Sequence, residues 1–241
     1  VHARQSRSGR VTATVAGTDE PRLVRQQVER MLSLDVDATA LPDVLADDGI
    51  AGVLLKRAAG LRPVCFASPY EAACWAVLSQ RIRMSQAARI RRRLCDELGH
   101  VVEIDGVSLS TFPRPECLLA ATSIPGVPEI KVQRLHAIAA AALDGRLDAA
   151  TLRAAGPQQA LADLQALPGI GPFGAELVLV RGAGEPDHFA RSEGRLHAAM
   201  AAAYGVDAAD VEALEEIAAR WSPFRSWVGF LFRAQAASVP A

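Results

Sequence analysis

The sequence predicts a mainly α-helical protein with a small α+β region at its N-terminus. Three observations carry that prediction. From Ser68 onward, apolar residues recur at helical spacing in segments parted by Gly and Pro. Alanine is abundant in those segments, and alanine favours helix. Residues 1–15, by contrast, alternate as strand residues do around a turn at Ser6-Arg7-Ser8-Gly9-Arg10. The 241 residues, 50% of them hydrophobic, suffice for one large domain or two small ones. The expected division is 1–64 for the α+β region and 65–241 for the helical domain.

In chain order, Val11, Ala13 and Val15 would line one side of a strand and Thr12 and Thr14 the other, so a hairpin is expected. Thr18 or Asp19 is placed to cap a helix with Pro21 in its first turn and Leu23, Val24, Val28 and Leu32 as its apolar face. Residues 35–64 read as short helices and loops, one of them holding Val53-Leu54-Leu55. Ser68-Pro69 then starts a helix whose stripe is Tyr70, Cys74, Val77, Leu78 and Ile82. A second helix runs from about Ser85 to Leu98 and ends at Gly99. Residues 100–115 are a loop with a short hairpin at Val101–Val107. Helices follow at Glu116–Ala121, Glu129–Leu143, Asp148–Ala155 and Pro157–Ala166. Three more, Arg195–Tyr204, Ala208–Trp221 and Pro223–Ala236, complete the chain, with Gly205 and Pro223 as punctuation.

Composition narrows the function. The net charge is −1, so any nucleic-acid affinity has to come from a local patch. The basic residues are 24 Arg and only two Lys, Lys56 and Lys131. Arg81, Arg83, Arg89, Arg91, Arg92 and Arg93 crowd two adjoining helices, and Arg89, Arg92 and Arg93 can share a face. Such a run is equally a solvated surface. Cys65, Cys74, Cys95 and Cys117 are widely spaced with no CxxC pair, which disfavours zinc and an iron–sulfur cluster. Cys74 and Cys95 sit on apolar helix faces as buried free thiols. His136, His188 and His197 lack ligand spacing. No apolar run approaches the roughly twenty residues of a membrane span, and no signal peptide is visible. A reduced cytoplasm is the expectation.

The densest local signal is Leu167-Pro168-Gly169-Ile170-Gly171-Pro172-Phe173-Gly174-Ala175-Glu176. It lies between two apolar helical runs, the second extending from Ala175 to Arg181 until Gly182 stops it. Gly169 and Gly171 can take positive φ, and Pro172 suits the first turn of the following helix. The product is a short hairpin between helices, with amide N–H groups facing outward at a helix N-terminus. Such a terminus binds phosphate oxygen through backbone donors and the helix dipole. A bare Pro-Gly-x-Gly turn also serves as a plain helix connector.

The full string resembles the hairpin of the helix-hairpin-helix DNA glycosylases, in the 3-methyladenine DNA glycosylase II branch. The resemblance covers about residues 68–235. It implies two helical subdomains flanking a cleft, with a shortened N-terminal α+β domain. It gives phosphate-binding amides to Gly169, Gly171, Phe173 and Gly174. It gives carbonyls for a monovalent cation, Na+ or K+, to Gln165, Leu167 and Ile170, and implies no other cofactor. Ser68-Pro69-Tyr70 through Ser79-Gln80-Arg81-Ile82 is a second likeness: a glutamine-led turn followed by the residue that wedges into the base stack. Here that residue is Arg81, where relatives carry an apolar side chain, and the likeness implies that Gln80 and Arg81 both contact DNA. Trp221-Ser222-Pro223-Phe224-Arg225-Ser226-Trp227 is a third, read as structural, with Arg225 bridging helix ends. Ile124-Pro125-Gly126-Val127-Pro128-Glu129-Ile130-Lys131 would be a helix connector from which Lys131 or Gly126 touches the DNA backbone.

The same resemblance aligns Glu193, in Asp187-His188-Phe189-Ala190-Arg191-Ser192-Glu193-Gly194, with the family's catalytic aspartate. The carboxylate is kept on an arm one methylene longer. Asp187 is a backup carboxylate, although it also reads as a turn residue after Glu185-Pro186. Phe173 stands where lyase-type members have a Schiff-base lysine, which implies a monofunctional enzyme. Phe173, Leu177 and Arg233 would line the base pocket, although relatives often have aromatic residues at the last two. The implied function is excision of a damaged, alkylated purine from double-stranded DNA by a monomeric, nucleoid-associated bacterial protein. The competing reading is a catalytically weak or inactive relative that binds damaged or distorted DNA.

Overall fold

The computed structural model describes residues 1–15, 20–104 and 106–238. In chain order its elements are β1 (His2–Gln5), β2 (Val11–Thr14), α1 (Pro21–Met31), α2 (Leu41–Val44), α3 (Gly49–Arg57), α4 (Pro69–Leu78) and α5 (Met84–Leu98). Next come β3 (Val101–Ile104), β4 (Val107–Ser110), α6 (Pro115–Ala120), α7 (Glu129–Leu143), α8 (Ala149–Ala154), α9 (Gly156–Gln165) and α10 (Pro172–Leu177). A π-helical turn, Val178–Ala183, continues α10. Helices α11 (Gly194–Tyr204), α12 (Val211–Ala219) and α13 (Arg225–Ser238) follow. The strands form two separate antiparallel hairpins, with His2 opposite Thr14 in one and Val101 opposite Ser110 in the other.

The chain divides into two compact units. One is Ser68–Ala183; the other joins Val1–Ala67 to the segment that begins at Gly184. This division groups the last three helices with the N-terminal region, whereas the sequence expectation kept them in one domain with residue 65 onward. The unit of the chain ends has a core of Leu41, Leu45, Leu54, Phe189, Met200, Leu214, Trp221, Trp227 and Phe232. Trp221 stacks on Phe232 at 5.5 Å between ring centroids. Asp48 caps α3 by accepting from the N–H groups of Ile50 and Ala51, and it also accepts from Tyr204 Oη (2.7 Å) and Trp221 Nε1 (3.0 Å). Burial pushes that carboxyl up, but the donors from Trp221, Ala51, Tyr204 and Ile50 outweigh it and hold it below the usual carboxylate range.

Helix α1 departs from expectation. Thr18 and Asp19, expected to cap it, lie outside the described residues, and Glu20 occupies the capping position without a side-chain hydrogen bond. Leu23, assigned to the apolar face, is exposed, and the buried residue is Arg30. Its guanidinium donates to the carbonyls of Phe66 and Ala67, and Gln27 Nε2 donates to Ala67 O at 2.8 Å. The helix is thus tied down by backbone carbonyls of its own unit, which an apolar pattern does not reveal.

In the middle unit α4 is central. Ser68 Oγ accepts from Glu71 N–H, the expected cap. Instead of the one expected stripe, all its residues but Trp75 are buried. It packs against the π-turn, α7 and α10. Gly182 does not stop the preceding helix as the sequence suggested. It lies inside the π-turn, where a Cβ would come within 2.9 Å of Pro69 Cα and 3.0 Å of Ala72 Cβ. The glycine is there because two backbones touch.

Candidate nucleic-acid interface and carboxylate site

The hairpin is built as the spacing implies, with one change. Leu167 and Ile170 anchor it through buried side chains, and Ile170 N–H donates to Leu167 O at 3.0 Å. Gly169 has φ +86°, but Gly171 has φ −90° and is extended, so only the first glycine is needed for its left-handed backbone. A Cβ on Gly171 would meet nothing within 4 Å. Gly171 is the N-cap of α10, and no side chain caps that end. The first-turn amides of Phe173 and Gly174 have no intrahelical acceptor by geometry. Gly174 is buried, and Phe173 is 51% exposed, so it is not a core residue. Leu177, half-buried, stands one turn further along the same helix.

The turn between α4 and α5 carries an unusual backbone. Arg81 has φ +57°, one of two non-glycine residues described at positive φ. That conformation is uncommon for a residue with a Cβ. The Arg81 side chain is exposed. The two residues expected to join it on DNA are occupied within the protein. Lys131 Nζ donates to Leu78 O and Gln80 O, both at 2.9 Å, closing the end of α4. Burial, with the neighbouring Arg134 charge, pushes the Lys131 ammonium below its ordinary value. Gln80 Nε2 donates to Gly169 O at 2.6 Å, and Gln80 Oε1 accepts from Arg134 Nη1 at 3.3 Å. Both residues therefore brace the hairpin and its neighbouring turn. Arg134 was missed in the sequence, although its place three residues beyond Lys131 puts it on the same helix face.

The arginine run sorts itself. Arg81, Arg83, Arg89, Arg92 and Arg93 are exposed. Arg91 leaves the patch: it pairs with buried Glu71 and lies over the Phe112 ring at 5.8 Å. Gly126 turns with φ +77°. The four cysteines are free thiols, and among the described residues no cluster of three His, Cys, Asp or Glu side chains is arranged to hold a metal. No helix of the described residues is long and apolar enough to cross a membrane.

In the unit of the chain ends, Glu193 is the N-cap of α11. Its Oε1 accepts from Arg195 N–H at 3.1 Å, and its Oε2 lies 3.2 Å from Arg233 Nε. The sequence did not pair these two side chains. Glu193 is 25% exposed and Arg233 30%. The pair is thus partly buried, and it holds the Glu193 carboxylate beside the start of α11. Asp187, the other carboxylate, is consumed structurally. Arg225 Nε and Nη2 donate to its two oxygens at 2.7 and 3.0 Å, and Ser222 Oγ adds a bond of 2.8 Å. Burial opposes ionisation there, yet the Arg225 and Ser222 donors hold the carboxyl below its ordinary range. Arg225 thus fastens the loop before α11 to the start of α13.

No protein-family model matches the chain. The chain superposes on a 3-methyladenine DNA glycosylase from Archaeoglobus fulgidus with a TM-score of 0.81 at 23% identity, covering 99% of this chain and 83% of that one. Over 203 residues, 82% of its length, it is 34% identical to the probable bifunctional transcriptional activator/DNA repair enzyme AlkA of Mycobacterium tuberculosis. The chain has the helix-hairpin-helix glycosylase fold. It is also 26% identical over 159 residues to the DNA-3-methyladenine glycosylase of Bacillus subtilis. The chain spans 40% of the length of the mycobacterial relative and 52% of the Bacillus one.

Proposed function

We propose that the protein is a monofunctional DNA glycosylase of base-excision repair, hydrolysing the N-glycosidic bond of a flipped, alkylated purine. The observation that carries the reading is Glu193. It is a partly buried carboxylate, steadied by a helix N-terminus and paired with Arg233. In the reaction the C1′–N bond breaks and the base takes the electron pair. A cationic alkylated purine leaves neutral, which makes it a good leaving group. The sugar passes through an oxocarbenium-like state. The Glu193 carboxylate stabilises that charge and orients the water whose oxygen bonds to C1′, while the water's proton passes to the carboxylate or to solvent.

Reaching that bond requires the nucleotide to leave the duplex. The hairpin amides, Gly169, Gly171, Phe173 and Gly174, would take one phosphate. Arg81 would fill the gap by stacking its planar guanidinium on the bases. Phe173 supplies an apolar, aromatic surface for a cationic base and no amine for a Schiff base. The carbonyls of Gln165, Leu167 and Ile170 are neutral oxygen donors of the kind that suits a hard cation. They would hold Na+ or K+, whose charge would add to the phosphate grip.

The test is a duplex carrying 3-methyladenine or 7-methylguanine, incubated with protein and then treated with hot alkali. Breaks at the lesion are expected, and Glu193→Gln should lower their rate by at least about 100-fold, the scale of a general acid–base contribution. Binding without breaks would reduce the protein to a lesion binder. Breaks before alkali would overturn the hydrolytic, lysine-free chemistry.

A further inference from the structure

We propose that Arg134 is a positioning residue that locks the Gln80–Arg81 turn to the hairpin, so that phosphate grip and base-stack insertion act as one body. The inference rests on the reading of Arg81 and the hairpin given above.

Helix α7 sends two cations, one turn apart, to the same place. Lys131 closes the end of α4 on the carbonyls of Leu78 and Gln80. Arg134 lays its aliphatic stem under Gly169, so close that a Cβ there would come within 2.5 Å of Arg134 Cδ. Its guanidinium donates to Gln80 Oε1, and the Gln80 amide donates to Gly169 O. A closed circuit results: α7 to Gln80, Gln80 to the hairpin, hairpin back to α7. Each step fixes the next. With Oε1 held by Arg134, the only donor end of the Gln80 side chain is aimed at the hairpin carbonyl. Arg81 follows directly, at φ +57°. A side chain persists in such a sparsely populated backbone only where its surroundings over-determine it. The circuit supplies that constraint, and it presents Arg81 at a set distance from the amides of α10. Gly169 serves twice here, once by its left-handed φ and once by leaving room for Arg134.

The experiment uses a duplex with 2-aminopurine beside a tetrahydrofuran abasic-site analogue. Fluorescence at saturating protein reads unstacking, and titration at several salt concentrations reads phosphate contacts. Arg134→Met, which keeps the packed stem, should lower the unstacked-to-stacked ratio about 10-fold, the scale of a lost charge-assisted hydrogen bond. Its salt slope should match that of the unsubstituted protein. Gln80→Met should give the same loss, and the double variant no more than either alone, because all three break one circuit. Where Arg134→Met does not fold, Gln80→Met decides. Intact unstacking with a salt slope reduced by about one would make Arg134 a phosphate contact and overturn the proposal. Additive losses would overturn it too. Arg81→Ala separates the two levels. If it leaves unstacking intact, the reading of Arg81 fails and takes the proposal with it. If it abolishes unstacking while Arg134→Met and Gln80→Met do not, the circuit alone is refuted.

Discussion

At the scale of single residues, the backbone of Arg81 is the most informative feature. A left-handed φ costs an L-residue roughly 1–2 kcal/mol, because Cβ crowds the following carbonyl. Glycine carries no such penalty, and the exposed Arg81 side chain contributes little packing. Arg81→Gly should therefore stabilise the fold by up to about 1 kcal/mol, seen as a thermal midpoint about 2–4 °C higher. Excision should fall at the same time. A variant that loses stability would show that the side chain has a structural partner in the native state. Much of this residue-level detail was hidden in the sequence. The Gly169 turn was legible because Pro-Gly-x-Gly is a local signal, but Gly171 turned out extended. Gln80 and Lys131 were picked out by position. What occupies them is set by partners 89 and 51 residues away in the chain, a separation no local pattern encodes.

At the scale of elements, the helices were largely readable and their ends less so. Ser68 capping α4, Gly205 in the left-handed conformation after α11, and the hairpin of β3 and β4 all follow from local chemistry. The expected helix over Ala208–Trp221 shortens to Val211–Ala219, where Asp210 Oδ1 accepts from Ala213 N–H and so fixes the start. The π-turn after α10 was not legible, since its cause is tertiary: the chain must bring Gly182 against Pro69. An alanine there would press on backbone that cannot easily yield. Gly182→Ala should cost about 1–3 kcal/mol by overpacking. Thermal unfolding measures it, and an unchanged midpoint would mean that α4 and the turn can part without penalty.

At the scale of the whole molecule, three carboxylates with depressed pKa values, Asp37, Asp48 and Asp187, all belong to the unit of the chain ends. A group whose folded pKa lies below its unfolded value near 3.9 contributes stability above that value and loses it as pH falls through the folded pKa. Acid should therefore weaken this unit as pH drops below about 4. Hydrogen exchange followed from pH 6 to pH 3 should show protection lost in α3 and α13 before α4 and α7. The reverse order would contradict the assignment. The assignment of residues 1–67 to the unit of α11–α13 has a further consequence. Leu41, Leu45 and Leu54 leave the ribosome long before Trp221 and Phe232 exist to cover them. The nascent N-terminal segment must wait with oily side chains uncovered while the middle of the protein is still being made, and a chaperone that shields it would raise yield more than one that acts at release.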